Sequence, residues 1–138
     1  MVVPFCVKSV LNGEMIGPHE GKELALMLAG TKKCALFFDA IPDQNTIAED
    51  IIPEKTFAPY AASHQLMRFE KDIVCNKLNA VIRVVCFTLP GEEWRAHFIM
   101  WLKEKRFQNI FVHNPEHDRM IGYLLGYAQT DINHFLSQ

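Results

Sequence analysis

Apolar and polar positions divide the chain into short elements separated by turn residues. Residues 3–10 carry β-branched and aromatic side chains and end at Asn12-Gly13, which predicts a first strand. Pro18 then opens a helix, with Glu20 and Glu23 in its first turns and Leu24, Met27 and Leu28 on one face. Gly30 closes it as a left-handed cap. The apolar run 34–39 predicts a short buried strand, and 64–74 and 80–89 predict a strand pair joined across 75–79. The second of that pair is nearly continuous in apolar residues, as a central strand is.

Residues 40–63 lose this periodicity. Pro42, Pro53 and Pro59 interrupt every element there, so a long loop is expected. Loops of that length inside one domain more often cover a site or contact a partner than merely connect.

Pro90 begins the strongest pattern. Trp94, His97, Phe98, Trp101, Leu102 and Lys105 recur at helical spacing. Glu92 and Glu93 suit the start of this helix, and Lys103, Lys105 and Arg106 suit its end. The expectation is an amphipathic helix whose aromatic stripe covers the sheet, with His97 half-buried in it. Residues 109–112 suit a last short strand, and Asn114-Pro115-Glu116 is a helix start. That helix carries Ile121, Leu124 and Leu125 and stops at Gly126; another begins at Thr130 or Asp131 with Ile132, Phe135 and Leu136. The order predicts an α+β fold in one domain, 1–138. A mixed or mainly antiparallel sheet of about five strands is covered on one face by helices, and a short helical hairpin ends the chain.

Composition narrows the class. At 138 residues, 49% hydrophobic, 22% charged and a net charge of −2, the chain has neither the low hydropathy nor the charge excess of a disordered segment. No stretch approaches the roughly 20 apolar residues of a membrane span. The N-terminus lacks the basic start of a secretory signal, so the expected compartment is the cytoplasm. Cys6, Cys34, Cys75 and Cys86 form no CxxC pair and read as reduced thiols used as small core hydrophobes. Five acids and no base lie between Asp39 and Glu54, and no basic face is visible to bind nucleic acid.

Candidate chemistry is sparse. His113, Glu116, His117 and Asp118 form the densest ligand set, but His113 precedes the expected helix cap and cannot share a helical face with His117. No metal is expected there. Residues 43–54 fit a calcium loop at Asp43, Asn45 and Glu54 but place Ala48 where glycine is required. Phosphate-binding and hydrolase fingerprints are absent, so no cofactor is expected. The last helix lacks Lys and Arg to meet DNA phosphates. Arg83, inside an apolar strand, needs a partner, and Glu70 or Asp72 on the neighbouring strand can supply it.

The segment His117-Asp118-Arg119-Met120-Ile121-Gly122-Tyr123-Leu124-Leu125-Gly126-Tyr127, followed by Asp131-Ile132 and Phe135, resembles a GxLLGY…DIxxF helical hairpin near the C-termini of uncharacterised bacterial proteins. The resemblance covers about one seventh of the chain and implies a bacterial or phage origin. It carries over no activity and no site residues.

Two functions follow as expectations. The first is a small soluble protein-interaction module, a regulator or inhibitor, whose acidic loop contacts another protein through Asp43, Glu49 and Asp50. Neither nucleic acid nor membrane is a partner in this reading. The alternative is a hydrolase or transferase with a site assembled from His113, His117, Asp118, Glu93 and Arg95. An enzyme requires those groups to converge in a pocket. An interaction protein disperses them and exposes an apolar patch.

Overall fold

Residues 19–108 and 115–137 are described in the computed structural model of the chain. They form α1 (Glu23–Leu28), β1 (Cys34–Ala40), α2 (Glu54–Ala62), β2 (Met67–Cys75), β3 (Ala80–Thr88), α3 (Glu93–Gln108), α4 (Pro115–Leu124) and α5 (Gln129–Leu136). The class is α+β, with the sheet antiparallel throughout and ordered β1-β3-β2. Among the described residues the sheet has three strands, so the expected number of about five is not supported. The strands expected at 3–10 and 109–112 lie outside the described residues.

β3 is central because it is apolar on both faces and finds two partners. Cys34 pairs with Thr88 and Ala40 with Ile82 on one side; Met67 pairs with Thr88 and Cys75 with Ala80 on the other. The hairpin between β2 and β3 turns at Asn79, whose φ of 51° suits asparagine's tolerance of the left-handed region.

Strand alternation splits the interior into two cores. On one face Leu36, Phe38, Ile73, Ile82, Val84 and Cys86 meet α3, α4 and α5 through Ile99, Phe107, Ile121, Leu125, Ile132 and Phe135. On the other, Ala35, Phe37, Val85 and Phe87 meet Met27 of α1, Phe57 of α2, and Ile52 and Leu66. The sheet is therefore covered on both faces. The expectation of one covered face fails because β1 alternates apolar with apolar. The second cover is partial: Arg68, Glu70, Asp72 and Val74 of β2 remain exposed on that side.

The long expected loop is also corrected. Pro59 sits inside α2, six residues after the N-cap position at Pro53, and so removes only the backbone bond to Lys55. Ile52 and Phe57, both 2% exposed, pin the whole segment to the sheet.

Two helix ends close as the sequence suggests. After α1, Gly30 adopts φ +80°, and its N–H and that of Thr31 donate to Met27 and Leu26. After α4, Gly126 adopts φ +81°, with Gly126 and Tyr127 donating to Tyr123 and Gly122. This paired pattern needs a positive φ that only glycine takes without strain. The resemblance segment thus contains a helix stop, and Tyr127 is buried across it. Lys32, 2% exposed, donates its ammonium to the Leu125 carbonyl at this stop and to His19 Nδ1 at 2.8 Å.

Candidate functional site

The principal cover helix turns its aromatic stripe outward. Ala96, Ile99, Met100, Lys103 and Phe107 are the residues of α3 that face the sheet, all at 7% exposure or less. Trp94, Phe98 and Trp101 are 49%, 37% and 53% exposed, and His97 and Lys105 are exposed beside them. The sequence reading placed these aromatics inside, and that is corrected. Residues 96, 99, 100, 103 and 107 form a second stripe at the same helical spacing, offset by two residues and so on the opposite side of the helix. One of its five positions is a lysine, which hid it.

Lys103 works as a core residue because its ammonium lies over aromatic rings. Its Nζ is 4.6 Å from the centre of the Phe38 ring and 5.9 Å from that of Phe107. Arg106, His117 and Asp118 are buried with it where α3 meets the start of α4. Burial pushes the His117 imidazole below its usual range, against the Asp118 carboxylate, whose Oδ1 is 3.3 Å from Nδ1. Lys103 and Arg106 add to the lowering. This group is a polar anchor of α4.

The outward stripe is held stiffly. The Arg95 guanidinium lies 4.7 Å from the Trp94 ring centre, and Lys105 Nζ lies 5.8 Å from that of Trp101. Arg95 is itself fixed by Glu92 at 2.8 Å and by the Leu124 carbonyl at 3.1 Å. Phe98 and Trp101 rings are 6.3 Å apart, and His97 meets Phe69 of β2 edge-on at 5.0 Å. Between α3 and β2 a groove of about 400 Å³ runs along Phe69, Lys71, His97, Met100, Trp101 and Glu104. Paired cation–aromatic contacts beside an open groove present large rigid surfaces at small entropic cost, as interaction hot spots do.

Among the described residues of the enzyme reading, Arg95 does not meet the His117-Asp118 pair. His113 lies outside the described residues. Glu93 accepts the Gly91 N–H at 3.0 Å, and Arg95 is engaged at the far end of α4. From His117 to Leu124 that helix advances about 10 Å, so Arg95 and the His117-Asp118 pair sit at opposite ends.

The acidic loop is partly structural. Glu49 accepts the N–H groups of Lys55 and Thr56 at 2.9 and 3.0 Å and the Thr56 hydroxyl at 2.9 Å. It caps α2, and these hydrogen bonds, the Lys55 amide first, hold its carboxyl below the usual range. Asp43 and Asp50 are exposed.

A hollow of about 610 Å³ opens on the uncovered part of the sheet, by Asp72, Val74, Val81 and Arg83. Arg83 is bound there by Asp72 at 2.9 and 3.1 Å, with Glu70 at 3.7 Å, as the sequence anticipated. Its guanidinium is thereby committed to structure. Among the described residues no group of His, Cys, Asp and Glu is arranged to hold a metal ion, and no helix is long and apolar enough to cross a membrane. Comparison with protein-family models, with curated proteins and with solved structures finds no match to this chain.

Proposed function

We propose that this protein is a small protein-interaction module, regulatory or inhibitory in kind, that engages its partner through the outward face of α3. The observation that carries this reading is the inversion of that helix: Trp94, Phe98 and Trp101 are substantially exposed while the opposite stripe is buried. Leaving two indoles in water forgoes favourable burial, which a partner restores. Asp43 and Asp50 give the same module a second, acidic contact.

The test is recovery of partners from the native host on the full-length protein, with proteins identified and quantified. A Trp94→Ala/Trp101→Ala variant with unchanged far-UV circular dichroism is expected to lose its partners. An Asp43→Asn/Asp50→Asn variant is expected to retain some of them with weakened salt-sensitive binding. Unaltered recovery by the tryptophan double variant refutes the reading.

A further inference from the structure

A cavity of about 290 Å³ opens between α1 and the segment that leads into α2, on the side of the sheet away from α3. Phe37, Ile51 and Phe57 line it with apolar surface, and Glu20, Glu23, Glu49 and Asp50 line it with acid. None of the described residues that line it is Lys, Arg or His. A hollow lined by one sign of charge beside apolar walls concentrates the field and draws in the opposite charge.

Two of the acids differ in how their charge is met. The Glu49 carboxylate accepts the Lys55 and Thr56 amides and the Thr56 hydroxyl. Glu23 is 6% exposed, and its Oε2 is buried and accepts no hydrogen bond among the described residues. Burial raises the Glu23 carboxyl above its usual range, against the lowering by its own amide, and the Glu20 charge adds to the rise. The Lys32 charge lowers it, but that ammonium donates to the Leu125 carbonyl and to His19. A buried carboxylate oxygen without a partner is costly, and a cation brought to it offsets the cost.

We infer that this cavity binds a primary alkylammonium group, with Glu23 as its counter-ion and the Phe37 and Phe57 rings against its hydrocarbon stem. A bare metal ion needs several oxygen ligands converging on one point, and among the described residues no group of His, Cys, Asp and Glu is so arranged. Apolar walls beside acid suit a cation carried on a chain of methylenes. A single orphaned oxygen suits a point-like ammonium, whereas a guanidinium engages two oxygens at once. The last torsion of a glutamate is soft, so the carboxylate turns Oε2 towards the cavity at small cost. The volume is at the small end for ligand sites, enough for a short alkyl chain. A free amine and a lysine side chain share this chemistry.

Titration of the full 138-residue chain with n-butylammonium, followed by proton–nitrogen NMR, tests this. At about pH 8 the amine stays protonated. Saturable shifts at Gly21, Glu23, Asp50 and Thr56 are expected, with a dissociation constant of about 1–10 mM. n-Butanol, which keeps the chain and drops the charge, is expected to bind at least about tenfold more weakly, and Glu23→Gln to weaken n-butylammonium binding by as much. Glu23→Gln is also expected to keep or raise Tm, because it removes a buried charge, whereas a carboxylate that serves the fold would lower it. Nα-acetyl-lysine methylamide as the probe separates the two sources: tighter binding than n-butylammonium assigns a protein's lysine, weaker binding a free amine, and each supports the site. Equal binding of n-butanol, undiminished binding by Glu23→Gln, or a Tm of Glu23→Gln several degrees below wild type overturns the inference. None of these results touches the reading of the α3 face.

Discussion

Replacing Ile99 by alanine and, separately, Trp101 by alanine asks directly which stripe of α3 holds the fold together. Ile99 is 0% exposed in the larger core. Its truncation removes three carbon groups at about 0.8 kcal/mol each and leaves a cavity, for about 3.5 kcal/mol in all. In a domain of this size that is a fall in Tm of about 14 °C. Trp101 is 53% exposed. Removing it gives up about 100 Å² of buried surface, or about 2.5 kcal/mol at the usual coefficient. A partly compact unfolded chain and alanine's better helix propensity reduce that to about 1.5 kcal/mol. The corresponding fall in Tm is about 6 °C. Calorimetry on both variants at a concentration where the chain is monomeric reads the ratio. If Trp101→Ala costs as much as Ile99→Ala, the aromatic stripe faces inward, and the docking surface is lost.

Stability is also expected to fall as pH is lowered from 6.5 towards 4. Burial, and then the Lys32 charge, bring His19 down to about 4, while burial lowers His117, so the unfolded chain binds the extra protons in this window. Thermal melts at pH 7.5 and 5.0 check this, and His19→Gln is expected to flatten the dependence. Glu49→Ala is expected to speed amide exchange at Lys55 and Thr56 more than at Ile82 or Val84, because it removes the cap of α2; equal acceleration at all sites refutes the capping role. Cys34, Cys75 and Cys86 are at most 4% exposed, and a hydrogen bond to Cys34, together with burial, raises the Cys86 thiol. None of the three is expected to react with a thiol reagent before unfolding, as mass spectrometry of the labelled chain would show.

Local signals in the sequence located most of the elements. The glycine stops at Gly30 and Gly126, the Pro115 start of α4, the central place of β3 and the pairing of Arg83 with Asp72 were all legible, because each depends on a few neighbouring residues or one strand register. What was not legible depends on three-dimensional context. α2 carries Pro59, which reads as a breaker, yet Glu49 and Phe57 supply a cap and an anchor that offset one lost hydrogen bond. The facing of α3 was misread for a comparable reason. Hydrophobicity alone favours the stripe with two tryptophans, and Lys103 disguises the other until Phe38 is seen beneath it. The exposed aromatic surface is the consequence of that inversion, so reading the candidate site required knowing which stripe the sheet had taken.

β1 bears on how the chain reaches this structure. β2 and β3 are joined by a tight turn, whereas β1 finds its partner in β3 roughly fifty residues downstream, a closure that costs more loop entropy than the hairpin does. The hairpin, with α3 following it directly, is therefore the natural nucleus, and β1 docks late, bringing both cores together because it belongs to both. Conservative truncations in β1, such as Leu36→Ala, should then act on the unfolding rate, while those at Ile82 or Val84 slow folding. One strand with two buried faces makes the final step of folding also the step that seals both sides of the sheet.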